Sequence, residues 1–364
     1  MKFKEFNSSS FFVTAAAFVI VIAGIRAAEA IIVPFLVAIF LAVISAPPVF
    51  WLERKGVPAV LSVLLVVSGV LGIAIGVAML LGSTVDDFYR AVPEYQRRLR
   101  EELAPLVAWL GRFGIDVSRS VIYDTIDPGA MIRLIARTLS NLGGVLSNAF
   151  LILLTLVFIL LEASSFPIKL YAVLDDPQKS LSNIGKILTD VKRYLALKSW
   201  VSLATGVLVA LWLTLLDIDF PMVWGIVAFL LNFVPNLGSI IAAVPVVVLG
   251  FIQYGVGTAL LVASGYIAIN VVFGNVVEPR LMGRRLGLST LVVFLSLVFW
   301  GWVLGPVGML LSIPLTMTVK IALESNDNSR WIAVLLGPEV LGKTMLPPAQ
   351  MAADESDSVQ KKRL

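Results

Sequence analysis

The sequence contains no cysteine and no histidine. Without cysteine the chain has no disulfide and no thiolate ligand, and without histidine it lacks the imidazole ligand and the side chain that titrates most readily near neutral pH. It also contains no GxxxxGK[ST] sequence, so we do not expect it to bind ATP through a P-loop. With no motif for a catalytic constellation, the chain is predicted not to be an enzyme and to need no cofactor or metal.

Charged residues are scarce as well. They make up 14% of the 364 residues, whereas hydrophobic residues make up 59% and the mean hydropathy is +0.94. A soluble domain usually carries about 25% charged residues, so the composition predicts a protein surrounded by membrane lipids. The net charge of +4 is small and dispersed, which argues against a nucleic-acid partner.

The long apolar runs predict an all-α polytopic membrane protein, because a helical span needs about 20 apolar residues. About seven or eight hydrophobic regions are recognisable: 11–25, 30–50, 57–82, 142–161, 200–216, 221–251, 255–277 and 288–323. The basic start followed by an apolar run also fits a cleaved signal peptide. Because a second apolar run follows at once, we favour a retained first span.

The runs divide the chain into five parts. Residues 1–82 are predicted to form N-terminal transmembrane helices, and 83–140 an extramembrane, helical and periplasmic segment in which eight Lys/Arg balance eight Asp/Glu. Residues 141–199 hold the fourth transmembrane helix and a cytoplasmic connector. Residues 200–324 form the predicted transport core, and 325–364 a polar, disordered cytoplasmic tail.

The loop charges predict an orientation with both termini in the cytoplasm. With Lys2 and Lys4 inside, the segments 163–199 and 280–285 and the C-terminus also lie inside, and the acidic 217–219 lies outside. This distribution follows the positive-inside rule, and a segment as long as 83–140 can cross regardless of its charge.

Two of the apolar regions are interrupted by proline and glycine. LNFVPNLGSIIAAVP (231–245) contains the first break and GWVLGPVGMLL (301–311) the second. The two arms of the first region have about 16 residues each and reach about 24 Å, less than the roughly 30 Å hydrocarbon core. We therefore predict two hairpins, either re-entrant or barely crossing.

The two hairpins share the order of their helix-breaking residues. Pro235, Gly238 and Pro245 follow one another in the first, and Pro306, Gly308 and Pro314 in the second. One full span precedes each hairpin, and the two spans run in opposite directions, so the units form an inverted repeat. Interrupted segments at matching positions of two inverted halves indicate the substrate site of a secondary transporter.

Polar and helix-breaking residues near the interruptions are the candidates for a transport path. They are Asn232, Pro235, Asn236, Gly238, Ser239, Asn270, Asn275, Trp300 and Pro306. Irregular backbone at membrane depth needs protein or a water-filled cavity to satisfy its polar groups, so a neutral, hydroxyl-rich solute could bind there. Alternatively, the amides join helices, at about 0.6 kcal/mol each, and the tryptophan anchors an interface. Gln253 is a further candidate for lining a cavity.

Glu278 and Arg280, followed by Arg284 and Arg285, lie where a long span meets a cytoplasmic loop. A carboxylate near a membrane-embedded path is a functional candidate. Glu278 could exchange a proton with the cytoplasm, or pair with Arg280 and latch the second hairpin. The alternative is a surface salt bridge beside basic topology anchors.

The segments WGIVAFLLNFVPNLGSIIAAVP (224–245), NVVFGNVVEPRLMGRRLGLSTLVVFLSLVFWGWVLGPVGMLLSIPLT (270–316) and IIVPFLVAIFLAVI (31–44) resemble the bacterial autoinducer-2 exporter family. The resemblance covers most of residues 11–325 and is strongest over 220–323. It implies an inner-membrane exporter of the quorum-sensing signal autoinducer-2, a small polyhydroxylated molecule, with an influence on biofilm formation. It also implies a homo-oligomer, and a pentamer in particular.

Two other functions remain open from the residues. Some relatives are described as cation/proton antiporters, which would need an intramembrane carboxylate such as Glu278. A non-transporting membrane scaffold would instead work through residues 83–140.

Overall fold

The computed structural model describes residues 8–112, 149–163, 177–235, 237–282, 288–324 and 329–337. Within these ranges the chain forms helices and turns and no strand. The helices are α1 (Ser8–Ala27), α2 (Glu29–Arg54), α3 (Ala59–Arg112), α4 (Ala149–Glu162), α5 (Pro177–Leu215), α6 (Pro221–Leu231), α7 (Gly238–Asn270), a π-helix (Val271–Val277), α8 (Glu278–Met282), α9 (Thr290–Leu310), α10 (Ser312–Glu324) and α11 (Arg330–Leu335). Of the residues singled out above, Asn236, Arg284 and Arg285 lie outside the described ranges.

Five of the described helical stretches are long and apolar enough to cross a membrane: Glu29–Arg54, Ala59–Glu102, Thr189–Leu215, Gly238–Leu281 and Thr290–Leu310. The predicted all-α architecture is therefore confirmed for the described part of the chain. Five such stretches are fewer than the seven or eight predicted regions. Three shorter apolar stretches accompany them: Ala16–Ala27, which is the end of α1, Ala149–Glu162 and Pro221–Leu231.

Helix α3 joins two of the predicted parts. It continues without interruption from the apolar residues 59–82 into the charged residues 83–112. The apolar run was expected to end near Gly82, but the backbone stays helical because the charged stretch keeps apolar residues at helical spacing. Phe88, Tyr95 and Leu99, one helical face of this stretch, are buried.

The buried core has two main parts. The larger one joins α3, α5, α6 and α7 around Trp224, Leu213 and Leu249, all with no exposed surface. The second joins α2, α3 and α4 around Ala38, Val63 and Leu156. The first core therefore fixes the helices that carry most of the predicted path.

Two glycines bring α5 and α6 into backbone contact. A Cβ added to Gly206 would lie 2.6 Å from the carbonyl oxygen of Gly225, and one added to Gly225 would lie 2.7 Å from that of Gly206. Small residues at a helix interface permit this approach in membrane proteins. The contact places the end of α6, where Asn232 follows, directly beside α5.

The first interruption lies between α6 and α7. Leu231 is the last residue of α6 and Gly238 the first of α7. Turn hydrogen bonds from Val234 N to Leu231 O (2.8 Å) and from Gly238 N to Val234 O (3.2 Å) partly replace the helical ones. The turn is so tight that a Cβ on Gly238 would overlap the Leu231 carbonyl oxygen.

Two further breaks occur at glycines with positive φ. Gly255 (φ 77°) bends α7, and Gly305 (φ 62°) bends α9 within the predicted Gly-Pro-Val-Gly break. These φ values are strained for any residue with a side chain. Beyond the second bend, a Cβ on Gly308 would overlap the Trp300 carbonyl oxygen, which repeats the relation between Gly238 and Leu231.

The end of α1 and the start of α2 both meet α9 near its bend. The guanidinium carbon of Arg26 lies 4.6 Å from the centroid of the Trp302 ring, within cation–π range. A Cβ on Gly305 would lie 3.1 Å from Oε1 of Glu29. Arg26 and Glu29 therefore both lie against α9.

Candidate functional site

Three buried polar side chains form a stripe along α5. Lys198, Ser202 and Thr205 are spaced four and three residues apart, which places them on one face of the helix. Their exposed fractions are 4%, 0% and 7%. At 1.5 Å per residue the stripe extends about 10 Å along the helix axis.

Glu278 closes one end of the stripe. Lys198 Nζ donates to both carboxylate oxygens of Glu278, each at 2.8 Å. The Lys198 side chain is 6% exposed and that of Glu278 is 20% exposed. Because burial removes water from both charges, each of them needs the other.

The proposed pairing of Glu278 with Arg280 is not what the described residues show. Lys198, 80 positions earlier in the chain, takes the carboxylate, while the Arg280 side chain on α8 is exposed. Lys198 pairs with Glu278 in place of Arg280 because the polar face of α5 packs directly against the start of α8. Sequence proximity alone favoured Arg280.

Asn232 meets the middle of the stripe. Its amide Nδ2 donates to Ser202 Oγ at 2.9 Å. Ser202 is fully buried, so this hydrogen bond is formed away from water and joins the first interruption to α5. Asn232 therefore joins two helices and also lines the cavity described next.

A small cavity lies beyond this hydrogen bond, between α5, α6 and α7. Its hydrogen-bonding walls are Thr205, Asn232, Ser239, Tyr266 and Asn270. Its volume is about 10 Å³, which is about the space of one water molecule. The polar stripe therefore leads from an ion pair to a nearly closed chamber without a formal charge.

A larger groove of about 330 Å³ lies on the far side of the same wall. It runs between the two halves of α7, and apolar residues such as Val244 and Ile267 form most of its surface. Ser239, Tyr266 and Asn270 line both the groove and the small cavity. Only these three side chains are shared between the two spaces.

The other predicted path residues lie elsewhere. Pro235 and Gly238 shape the turn between α6 and α7 and are absent from the lining of either space. Trp300 donates from Nε1 to Thr316 Oγ1 at 2.9 Å, which joins α9 to α10. Asn275 and Pro306 are exposed.

A π-helix separates Asn270 from Glu278. Residues Val271–Val277 form this turn, and π-helical turns occur frequently at functional sites. Asn275 and Glu278 are three residues apart, so α-helical spacing predicts that they share one face. The wider turn changes that relation, so Glu278 meets Lys198 while Asn275 points outward.

Sequence reasoning missed Lys198, Ser202, Thr205 and Tyr266. The first three carried a usable signal, because their spacing puts polar groups on one face of an otherwise apolar run. Tyr266 carried none, since one tyrosine within an apolar span is ordinary. Only the packing of α7 against α5 and α6 shows where its hydroxyl lies.

A second polar contact holds the charged end of α3 against this core. Tyr95 Oη donates to Asp219 Oδ2 at 2.6 Å, and Arg98 Nη1 donates to the Gln253 carbonyl oxygen at 3.3 Å. The Gln253 side chain accepts from Asp219 N at 3.3 Å. Gln253 thus belongs to this contact, which lies at the Gly255 bend, and lines neither the small cavity nor the large groove.

The charges on this end of α3 are fixed by their neighbours. Hydrogen bonds from Arg97 and Arg98 lower the pKa of the exposed Glu94 carboxyl to about 2, so Glu94 is ionised at physiological pH. Burial, together with the hydrogen bond to Asp219, raises the pKa of the Tyr95 phenol. Tyr95 therefore remains a donor.

Replacing Tyr95 with phenylalanine should lower stability by about 1.5 kcal/mol, because the buried phenol donates to a carboxylate. Tyr89→Phe is the matched control, since Tyr89 lies on the same helix and is 58% exposed. Thermal denaturation of the purified protein in detergent should show a lower Tm for Tyr95→Phe alone. Equal Tm values would mean that the Tyr95–Asp219 bond contributes nothing.

The long apolar helices, which enclose a buried polar stripe and chamber, have the length and composition of a multi-pass membrane protein. A family model described as AI-2E family transporter matches residues 15–327. The chain belongs to this family. Membership places it among bacterial inner-membrane transport proteins.

The sequences of individual relatives align with this chain along nearly their full length. The chain is 45% identical over 318 residues to the AI-2 transport protein TqsA of Escherichia coli (strain K12), covering 87% of this chain and 92% of TqsA. It is 42% identical over 328 residues to a provisionally named transport protein of Haemophilus influenzae, with 88% and 94% covered. YhhT of Escherichia coli (strain K12), also provisionally named, is 38% identical over 323 residues, with 89% and 93% covered.

Proposed function

We propose that this protein exports autoinducer-2 across the bacterial inner membrane and thereby affects biofilm formation. The observation that carries the proposal is the polar stripe from Lys198–Glu278 through Ser202–Asn232 to the small cavity. The hydroxyl and amide groups that line the small cavity could hydrogen-bond a small polyhydroxylated molecule once the cavity widens. The substrate is taken from the name of TqsA. The 45% identity over most of both chains supports assigning the same substrate to this protein.

The two interrupted regions are proposed to act as hairpins of an inverted repeat. In support, a Cβ on Gly238 would overlap the carbonyl oxygen of Leu231 at the end of α6, and a Cβ on Gly308 would overlap that of Trp300, which precedes the Gly305 bend in α9. Helix α6 has 11 residues, about 16 Å at 1.5 Å per residue, and so reaches about half of a 30 Å hydrocarbon core. The turn at 232–237 would then lie near the midplane, where transporter substrates bind.

The proposed orientation keeps both termini in the cytoplasm. It places Lys198 and Glu278 at the cytoplasmic side and the Tyr95–Asp219 contact at the periplasmic side. The ion pair is then a gate at the inner end of the path, and its opening would admit the solute from the cytoplasm. Assembly as a homo-oligomer, and as a pentamer, rests on the family resemblance.

The cation/proton antiporter is the alternative with the most distinct consequence. It would use Glu278 as the exchanging carboxylate. Both oxygens of Glu278 accept hydrogen bonds from Lys198, so a cation would have to displace that lysine. A neutral solute requires the ion pair only to open, without a second cation taking the place of Lys198 on the carboxylate, and we therefore favour the exporter.

Labelled autoinducer-2 should accumulate in inside-out vesicles that contain the protein and carry a proton gradient. Asn232→Leu should reduce the initial rate about tenfold, because it removes the amide from the cavity and leaves Ser202 without this bond. Asn275→Leu should transport normally, since Asn275 lies outside both spaces. Comparison with and without the gradient tests energy coupling.

Three results would contradict the proposal. Uptake equal to that of empty vesicles, with the protein folded, would remove autoinducer-2 as substrate, and proton-linked cation exchange in the same vesicles would establish the antiporter. Accumulation only in right-side-out vesicles would reverse the direction. Equal loss in Asn232→Leu and Asn275→Leu would move the path away from the cavity.

A further inference from the structure

Tyr266 carries a buried hydroxyl that nothing in the described residues satisfies. The side chain is 6% exposed, and its oxygen has no hydrogen-bond partner there. A buried polar group left unpaired costs about 1–3 kcal/mol. Such a group in a native fold calls for an explanation, and a role in binding a ligand is one.

The position of Tyr266 supports that explanation. It stands in the wall between the small cavity and the larger groove, together with Ser239 and Asn270. The next residue back, Gly265, faces the indole ring of Trp212 so closely that a Cβ would overlap Nε1. Trp212 also donates to Leu261 O at 3.2 Å, so α5 holds this part of α7 in place.

The chemistry of the chamber limits the solute. Its polar walls are two aliphatic hydroxyls, two amides and the phenol of Tyr266, and none of them carries a charge. The nearby charges of Lys198 and Glu278 neutralise one another. An anion or cation would be buried without a counter-charge, at high cost, whereas a neutral hydroxylated solute could satisfy the walls.

We propose that Tyr266 is a substrate-binding residue whose hydroxyl donates a hydrogen bond to an oxygen of a neutral polyhydroxylated solute. The solute occupies the space gained when the wall formed by Ser239, Tyr266 and Asn270 moves and joins the cavity to the groove. This inference rests on the proposed transport function and adds the residue that selects the solute by its hydroxyl groups.

Tyr266→Phe removes only the unpaired oxygen, which makes it the appropriate test. Binding of labelled autoinducer-2 to the full-length purified protein should weaken about tenfold, the equivalent of one hydrogen bond of about 1.4 kcal/mol. An analogue with one hydroxyl replaced by hydrogen should bind wild type and Tyr266→Phe equally, if that hydroxyl is the partner. Each single-hydroxyl analogue is therefore measured in turn.

Tyr194→Phe is the matched control. Tyr194 is 3% exposed, its hydroxyl also has no partner in the described residues, and it packs beside Ile313 and Met317, away from the cavity. Both variants should melt at or above the wild-type Tm, because each loses an unsatisfied polar atom. Only Tyr266→Phe should change affinity.

The outcomes distinguish a failure of the role of Tyr266 from a failure of the proposed transport function. Binding by wild type with the same affinity in Tyr266→Phe would overturn the role of Tyr266 and leave the exporter standing. An equal loss in Tyr194→Phe would also overturn it, since the effect would then be general. No binding by folded wild type would overturn the proposed function and this inference together.

Discussion

Lys198→Met should destabilise the protein by about 3 kcal/mol, because it leaves the Glu278 carboxylate, whose side chain is only 20% exposed, unpaired beside an apolar side chain. Lys198 is 4% exposed and bonds both carboxylate oxygens at 2.8 Å. The double variant Lys198→Met/Glu278→Gln should recover most of the loss, since no unpaired charge remains. Thermal denaturation of the four proteins in detergent gives the coupling energy as a double-mutant cycle.

An exposed pair on the same chain provides the control. Arg97 bonds Glu94 at 2.6 Å, but the two side chains are 59% and 43% exposed. Arg97→Gln should therefore cost at most about 1 kcal/mol. If Lys198→Met cost no more than Arg97→Gln, or if the double variant were as unstable as the single one, the buried pair would not be a coupled unit.

The same variants separate a gate from a structural pair. A gate that opens by breaking the ion pair should open more readily in the double variant, which keeps the fold but lacks the attraction. Its transport rate should then equal or exceed that of wild type, while a proton-exchanging Glu278 would lose transport in the same protein. If the pair is a gate, the double variant should therefore keep most of its stability and all of its transport.

Much of the fold could be predicted because the bilayer constrains the chain so strongly. A span must be helical and about 20 apolar residues long, so hydropathy locates α2, α3, α5, α7 and α9. Proline and glycine marked the turn at 232–237 and the bend at Gly305, because these residues interrupt the helix that a span otherwise requires. The length of an apolar run predicts the end of a helix less well, since α3 continues past Gly82 for another 30 residues.

The candidate site was predicted only in part. Asn232, Ser239, Asn270 and Glu278 were found because polar groups are conspicuous within apolar runs. Their partners were not, because Lys198 and Ser202 lie 80 and 30 positions away in the chain. The π-helix at Val271–Val277 added a second obstacle, since α-helical spacing assigns Asn275 and Glu278 to one face.

Gly238→Ala should destabilise the protein by about 3 kcal/mol, because the new Cβ would overlap the Leu231 carbonyl oxygen and force the turn open. A backbone atom cannot rotate aside as a flexible side chain can. Gly257→Ala, in the same α7, is the control, because nothing lies within 4 Å of the added atom. That change should be neutral or stabilising by about 0.5–1 kcal/mol, since alanine favours helix.

Gly308→Ala extends the argument to the second interruption. Its Cβ would overlap the Trp300 carbonyl oxygen, so the loss should match that of Gly238→Ala if the two turns are equivalent parts of a repeated design. Thermal denaturation gives the stabilities, and transport in vesicles shows whether each turn is needed for activity. Loss in both glycine variants, beside an unaffected Gly257→Ala, would mean that the interruptions are fixed by backbone contact. A Gly238→Ala protein as stable as Gly257→Ala would mean that the chain at 231–238 is looser than the contact requires, and the cavity lined by Asn232 and Ser239 would lose its fixed wall.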